Sequence, residues 1–189
     1  MQVFIKNSCF NADWIKTKKE ELSGDPVLIE KTIHAFALLG YLVQTKTNFI
    51  FKGGTSLLLH VPQIKRLSID IDIIFDGELK ALKEKLAQIA KNKPFTRFKE
   101  DDRGDRGLPN RKHFQFFYTS DRSKKEDSVL LDIVLEDLSH LSFIESKSIH
   151  SNYFETNVEL FVKVPTIEGL IGDKLTAFCS PYNRCAFCN

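Results

Sequence analysis

Two aspartates separated by a single isoleucine, Asp70 and Asp72, are by type and spacing the residues of this chain best suited to chemistry. They lie in Ser68-Ile69-Asp70-Ile71-Asp72-Ile73-Ile74-Phe75, where Ile69, Ile71 and Ile73 alternate with Asp70, Asp72 and Ile74. Such alternation predicts a two-faced strand over 68–75, and residues two apart on a strand project from the same face. Two carboxylates so placed repel each other unless a cation lies between them. Magnesium meets that need, because it takes one or two carboxylates and completes its shell with water and phosphate oxygens. A solvent-facing pair on an edge strand is the alternative.

Three other segments bear on that choice. Upstream, Phe51-Lys52-Gly53-Gly54-Thr55-Ser56 breaks a strand into two glycines and two hydroxyls before a helical run. Glycines let backbone approach a phosphate closely, amides at a helix start face an anion, and Thr55 or Ser56 could bond a phosphate oxygen. An ordinary strand-to-helix turn has the same composition. Downstream, Asp132 sits in Val129-Leu130-Leu131-Asp132-Ile133-Val134. A carboxylate in an apolar strand is costly to bury without a cation or donors. Beside Asp70 and Asp72 it would be a third metal-site carboxylate, able to accept the proton of an attacking hydroxyl; otherwise it is a polar residue at a strand edge. Lys174, on the last helix, and Arg66, just before the acidic strand, are either phosphate contacts or solvated charges.

The elements that must position these groups follow from periodicity. Residues 11–22 read as a short helix, and the run after Pro26 as a longer one, with Ile29, Ile33, Phe36, Leu39 and Leu42 on its apolar face. Asn48–Phe51 reads as a strand, Leu57–Leu59 as a helical turn or two, and Glu78–Asn92 as an amphipathic helix with Leu79, Leu82, Leu86 and Ile89 inward. Strand-like runs cover 95–99, 113–119, 128–135 and 158–164, with a charged loop between the first two. Thr166 is placed to cap a final helix running to Phe178. This order predicts an α+β fold: a mixed β-sheet with helices mainly on one face. Residues 1–165 form the expected core with its N-terminal helices, and 166–189 the start of a C-terminal helical region.

The 189 residues carry 27 basic and 25 acidic side chains, a net charge of +2 that makes no case for nucleic-acid binding by charge alone. The basic stretch Arg103–Lys112 is a nucleic-acid contact or a solvated loop. No run of about 18 apolar residues stands out, and the N-terminus lacks the order of a secretory signal, so a cytoplasmic protein away from membranes, with reduced cysteines, is expected. Cys185 and Cys188 have the spacing of a zinc or redox knuckle, but no second close pair accompanies them, and with Cys179 they also read as unpaired tail thiols.

Taken in order, Lys52-Gly53-Gly54-Thr55-Ser56-Leu57, Arg66-Leu67-Ser68-Ile69-Asp70-Ile71-Asp72-Ile73, Leu131-Asp132-Ile133 and Glu168-Gly169-Leu170-Ile171-Gly172-Asp173-Lys174-Leu175-Thr176-Ala177 resemble the AbiEii/AbiGii toxin family. That family belongs to the DNA polymerase β-like nucleotidyltransferase superfamily. The resemblance covers about residues 30–178. It implies a toxin of a two-gene abortive-infection or toxin–antitoxin system, with a cognate antitoxin protein as partner, that transfers a nucleotidyl group from an NTP; some members modify the acceptor end of tRNA. On this resemblance Gly53, Gly54, Thr55 and Ser56, with Arg66, hold the triphosphate. Asp70 and Asp72, with Asp132, bind Mg2+, and Lys174 contacts phosphate. Family members usually continue into a further helical region, so residues 166–189 are expected to be a shortened form of it. Two other readings stay open: a nucleotide-binding module without turnover, and a phosphotransferase acting on a protein or small molecule.

Overall fold

The computed structural model describes residues 1–61, 67–101, 110–139 and 141–179. A 3-10 turn at Asn7–Phe10 leads into α1 (Ala12–Leu22), which ends where Ser23 turns into the left-handed region at φ 52°. Asp25 then caps α2 (Pro26–Gln44): its carboxylate accepts the Val27 N–H at 2.7 Å. Pro26 takes a first-turn position, where its missing N–H has no partner to lose. Every residue from Thr32 to Leu42 is buried. By length and composition α2 is apolar enough to cross a membrane, which the sequence reading did not anticipate. Here it is the central core helix, and burial on all sides accounts for its uniform apolarity.

The remaining elements are β1 (Phe49–Lys52), the single helical turn α3 (Gly53–Ser56), β2 (Ile71–Phe75), α4 (Leu79–Ile89), β3 (Phe95–Glu100), β4 (Arg111–Thr119), β5 (Glu126–Leu135), β6 (Ile144–Ser148), β7 (Phe161–Pro165) and α5 (Ile167–Cys179). Five strands form one mixed sheet in the order β1-β2-β5-β4-β3. β2 and β5 run parallel, and the other neighbours are antiparallel. Alternation divides the sheet into two faces. Ile71, Ile73, Phe114, Phe116, Tyr118, Val129, Leu131 and Ile133 are buried in one cluster with α2 and with Leu82, Leu86 and Ile89 of α4. On the opposite face Asp72, His113, Gln115 and Asp132 are only half-buried. The helices therefore cover mainly one face, as the sequence order requires.

Several expected boundaries move. β2 begins at Ile71, not Ser68, so Asp70 precedes the strand. The charged segment between β3 and β4 is shorter than expected, since Glu100, Arg111 and Lys112 are strand residues. β6 was not expected at all: Ile-Glu-Ser-Lys-Ser has no apolar alternation, and it pairs with β7 in a separate two-stranded sheet. Thr166 does cap α5, accepting the Gly169 N–H on its hydroxyl at 3.3 Å; Leu170 of that helix is buried, while Ile167, Ile171 and Leu175 are exposed.

Candidate active site

Register places four charged or polar side chains side by side across the sheet. Lys52 of β1 lies opposite Asp72 of β2, Asp72 opposite Asp132 of β5, and Asp132 opposite His113 of β4. Register partners share a face, and their flanking residues Phe51, Ile71, Ile73, Leu131, Ile133 and Phe114 are at most 1% exposed on the core side. The row Lys52–Asp72–Asp132–His113 thus belongs to the half-open face. His113 Nδ1 lies 2.8 Å from Asp132 Oδ1.

Asp70 reaches the same site from just outside the strand, and its backbone carbonyl accepts the Thr55 hydroxyl at 2.7 Å. This contact corrects one expectation. The Thr55 and Ser56 side chains are fully buried, and Ser56 donates to the Gly53 carbonyl at 2.8 Å, so both hydroxyls build the turn instead of facing a phosphate. They are committed because a one-turn helix following β1 must satisfy its own backbone and tie itself to the segment before β2.

The two glycines do what only glycine can do here. Gly53 has φ +80°, and a Cβ on it would come within 2.0 Å of Asp72 Oδ2. A Cβ on Gly54 would meet Ser68 at 2.9 Å. The turn is therefore packed directly onto the acidic strand. A pocket of about 1030 Å³ opens beside it. It is lined by Lys52, Gly53, Gly54, Ser68, Asp70, Asp72 and Lys174 together with the apolar side chains of Leu28, Leu57, Leu67, Ile167, Leu170 and Ile171. α5 thus brings Lys174 to the pocket wall, although Lys174 lies about a hundred residues beyond Asp72 in sequence.

Burial, then the negative charges of Asp132 and Asp70, push the Asp72 carboxyl up to about 6. The cations of Lys52 and Lys174 act in the opposite direction. Asp72 is thus poor in compensating positive charge where it sits.

The family described as nucleotidyl transferase AbiEii toxin, type IV TA system, matches residues 37–186, well over half the chain. The chain belongs to the AbiEii toxin family. No curated protein matches it. Among solved structures, JHP933 from Helicobacter pylori aligns with a TM-score of 0.52 at 19% identity, over 78% of this chain and 57% of its own. A second H. pylori structure, described as a candidate nucleotidyltransferase, aligns with a TM-score of 0.51 at 19% identity, over 77% of this chain and 58% of its own. At such identity these likenesses establish the nucleotidyltransferase-type fold and nothing finer. This AbiEii-family chain spans less than two thirds of the length of either structure.

Whether the AbiEii-family site suits magnesium turns on its donors. Among the described residues no group of three or more His, Cys, Asp or Glu side chains is placed to hold a metal ion, so Asp132 does not join Asp70 and Asp72 as the expected third ligand. Magnesium needs no such group: it is held by one or two carboxylates together with substrate phosphates. Asp70 and Asp72 supply hard oxygen donors on the pocket wall. Asp72 is destabilised as an anion by burial and then by its carboxylate neighbours Asp132 and Asp70, and the missing side chain at Gly53 is what lets its Oδ2 lie against the turn. The donor set fits the ion.

Sequence reasoning missed Lys52 and His113. Lys52 looks like an ordinary lysine at a strand end, and its nearness to Asp72 follows only from the β1–β2 register. His113 carries no local signal, because Asp132 lies 19 residues away along the chain. Arg66, Cys185, Cys188 and most of the Arg103–Lys112 stretch fall outside the described residues.

Proposed function

We propose that this AbiEii-family chain transfers a nucleotidyl group from an NTP to an acceptor hydroxyl, with Mg2+ held by Asp70 and Asp72. The observation that carries the reading is Asp72 beside Asp132 on adjacent parallel strands, with the Gly53–Gly54 turn packed against Asp72 at the wall of a pocket. When bound, the ion would neutralise charge on the triphosphate and orient it. Gly53 and Gly54 let backbone approach the phosphates, and Lys52 and Lys174, which line the same pocket, serve as point charges for them. Asp132 takes the proton of the attacking hydroxyl. That oxygen bonds to the α-phosphorus, the bond from the α-phosphorus to the bridging oxygen breaks, and pyrophosphate leaves with the electron pair. The acceptor we favour is tRNA, on the family resemblance. The family's description as type IV toxins supports an antitoxin protein as partner.

Asp70→Ala tests the metal assignment directly. Calorimetric titration with a non-hydrolysable NTP should show magnesium-dependent binding in wild type and a loss of at least tenfold in that affinity in the variant. Equal magnesium-dependent affinity in the two proteins would remove Asp70 from the site.

A further inference from the structure

We propose that His113 is a positioning residue for Asp132, fixing one carboxylate oxygen so that the other is presented to the reacting groups; this rests on the nucleotidyl-transfer reading above. The two residues are register partners on β4 and β5, so their backbones are held by the sheet ladder before the side chains meet. On its other side the His113 carbonyl accepts the Asp101 N–H at 2.8 Å, which holds the start of β4 against the end of β3. The contact itself joins His113 Nδ1 to Asp132 Oδ1 at 2.8 Å. A carboxylate can only accept, so Nδ1 is the nitrogen that carries hydrogen in this pair. The side chains are 19% and 30% exposed, enough cover to shield the bond from competing water while leaving the aspartate in reach of the site.

The arrangement is selective within the carboxylate. Asp132 Oδ1 is engaged by His113, whereas Oδ2 has no hydrogen-bond partner among the described residues. Without His113 the carboxylate would rotate about its last torsion, whose energy profile is broad, and would hold the productive orientation for only part of the time. Groups that orient a catalytic or metal-site carboxylate from behind typically account for 10–100-fold in metal affinity or activity. Nothing on the core side needs a histidine here, since its neighbours on β4 that pack inward are Phe114, Phe116 and Tyr118.

Asparagine and glutamine separate positioning from simple packing, because the asparagine amide nitrogen sits near the place of Nδ1 and the glutamine amide nitrogen near that of Nε2. Wild type, His113→Asn, His113→Gln and His113→Leu should melt within a few degrees of one another. His113→Leu and His113→Gln should lose 10–100-fold in kcat, with KM for the NTP, and Mg2+ affinity in calorimetric titration with a non-hydrolysable NTP, little changed, because Asp132 receives the proton while Asp70 and Asp72 hold the ion. His113→Asn should recover kcat to within a few-fold. The inference is overturned if His113→Leu matches wild type in kcat, or if all three variants fall equally. A wild type that binds the NTP but transfers nothing would overturn the functional reading, and this inference with it.

Discussion

Asp72→Asn is expected to lower nucleotidyl transfer by about 10²–10⁴-fold, the rate equivalent of the several kcal/mol that a bound metal ion contributes to stabilising developing charge. The same substitution should make the metal-free protein more stable above pH 6. Asp72 is held up to about 6 against an ordinary 3.8, first by burial and then by Asp132 and Asp70. A carboxyl whose folded value lies above its unfolded one binds more protons folded than unfolded between those two values, so stability falls as pH rises through that window. Below 3.8 the group is protonated in both states and costs nothing; above 6 its full cost, about 2–3 kcal/mol, is present. Asparagine never ionises. Thermal melts without metal should therefore show wild type and Asp72→Asn close together near pH 4, and the variant roughly 5–10 °C higher at pH 7.5. Added Mg2+ should raise the wild-type melting temperature at pH 7.5 and leave the variant unmoved. A site built for function at the expense of apo stability behaves in this way, and a structural aspartate does not.

Gly53→Ala is expected to destabilise the protein by about 2–4 kcal/mol and to weaken magnesium-dependent NTP binding by at least tenfold. Two costs add. The backbone at φ +80° disfavours any side chain by about 1–2 kcal/mol. The new methyl would also lie 2.0 Å from Asp72 Oδ2, 2.8 Å from its Cγ and 3.0 Å from its Cβ, so the carboxylate must leave its place. These costs can be separated by a double-mutant cycle in urea denaturation. In an Asp72→Ala background the clash is largely gone, and Gly53→Ala should cost only about 1–2 kcal/mol. An identical cost in both backgrounds would mean that the turn does not rest on Asp72 as described.

How much of this was legible beforehand depends on whether a feature is local in sequence. Asp70 and Asp72 announce themselves because strand period and the need for a counter-ion act within three residues. Gly53 and Gly54 are conspicuous as consecutive glycines between an apolar strand and a leucine run, but an ordinary strand-to-helix turn has the same composition, and only their packing against Asp72 and Ser68 tells the two apart. Lys174 reads from the sequence alone as a phosphate contact or a solvated charge, the family pattern favours the first, and α5 brings it to the pocket wall. Thr55 and Ser56 were misjudged because composition gives hydroxyls without giving their direction; the turn points them inward, to the Asp70 and Gly53 carbonyls. Lys52 and His113 join the site through strand register alone. β5 pairs with β2 in parallel only after the chain has passed through α4, β3 and β4, and no window on the sequence contains that pairing. β6 escaped notice for a simpler reason: its polar residues form a strand because β7 offers a partner, not because of an apolar stripe.

On the proposed reading, Asp72, Asp132 and the Gly53–Gly54 turn form a centre for nucleotidyl transfer. Its most direct test incubates the full chain with Mg2+, total tRNA and either α-labelled or γ-labelled NTP, alongside Asp72→Asn. Label from the α-phosphate should become covalently attached to RNA, pyrophosphate should appear, and Asp72→Asn should abolish both. Label passing from the γ-position to an acceptor would contradict the claim by showing phosphoryl transfer, and so would α-label incorporation that Asp72→Asn leaves unchanged.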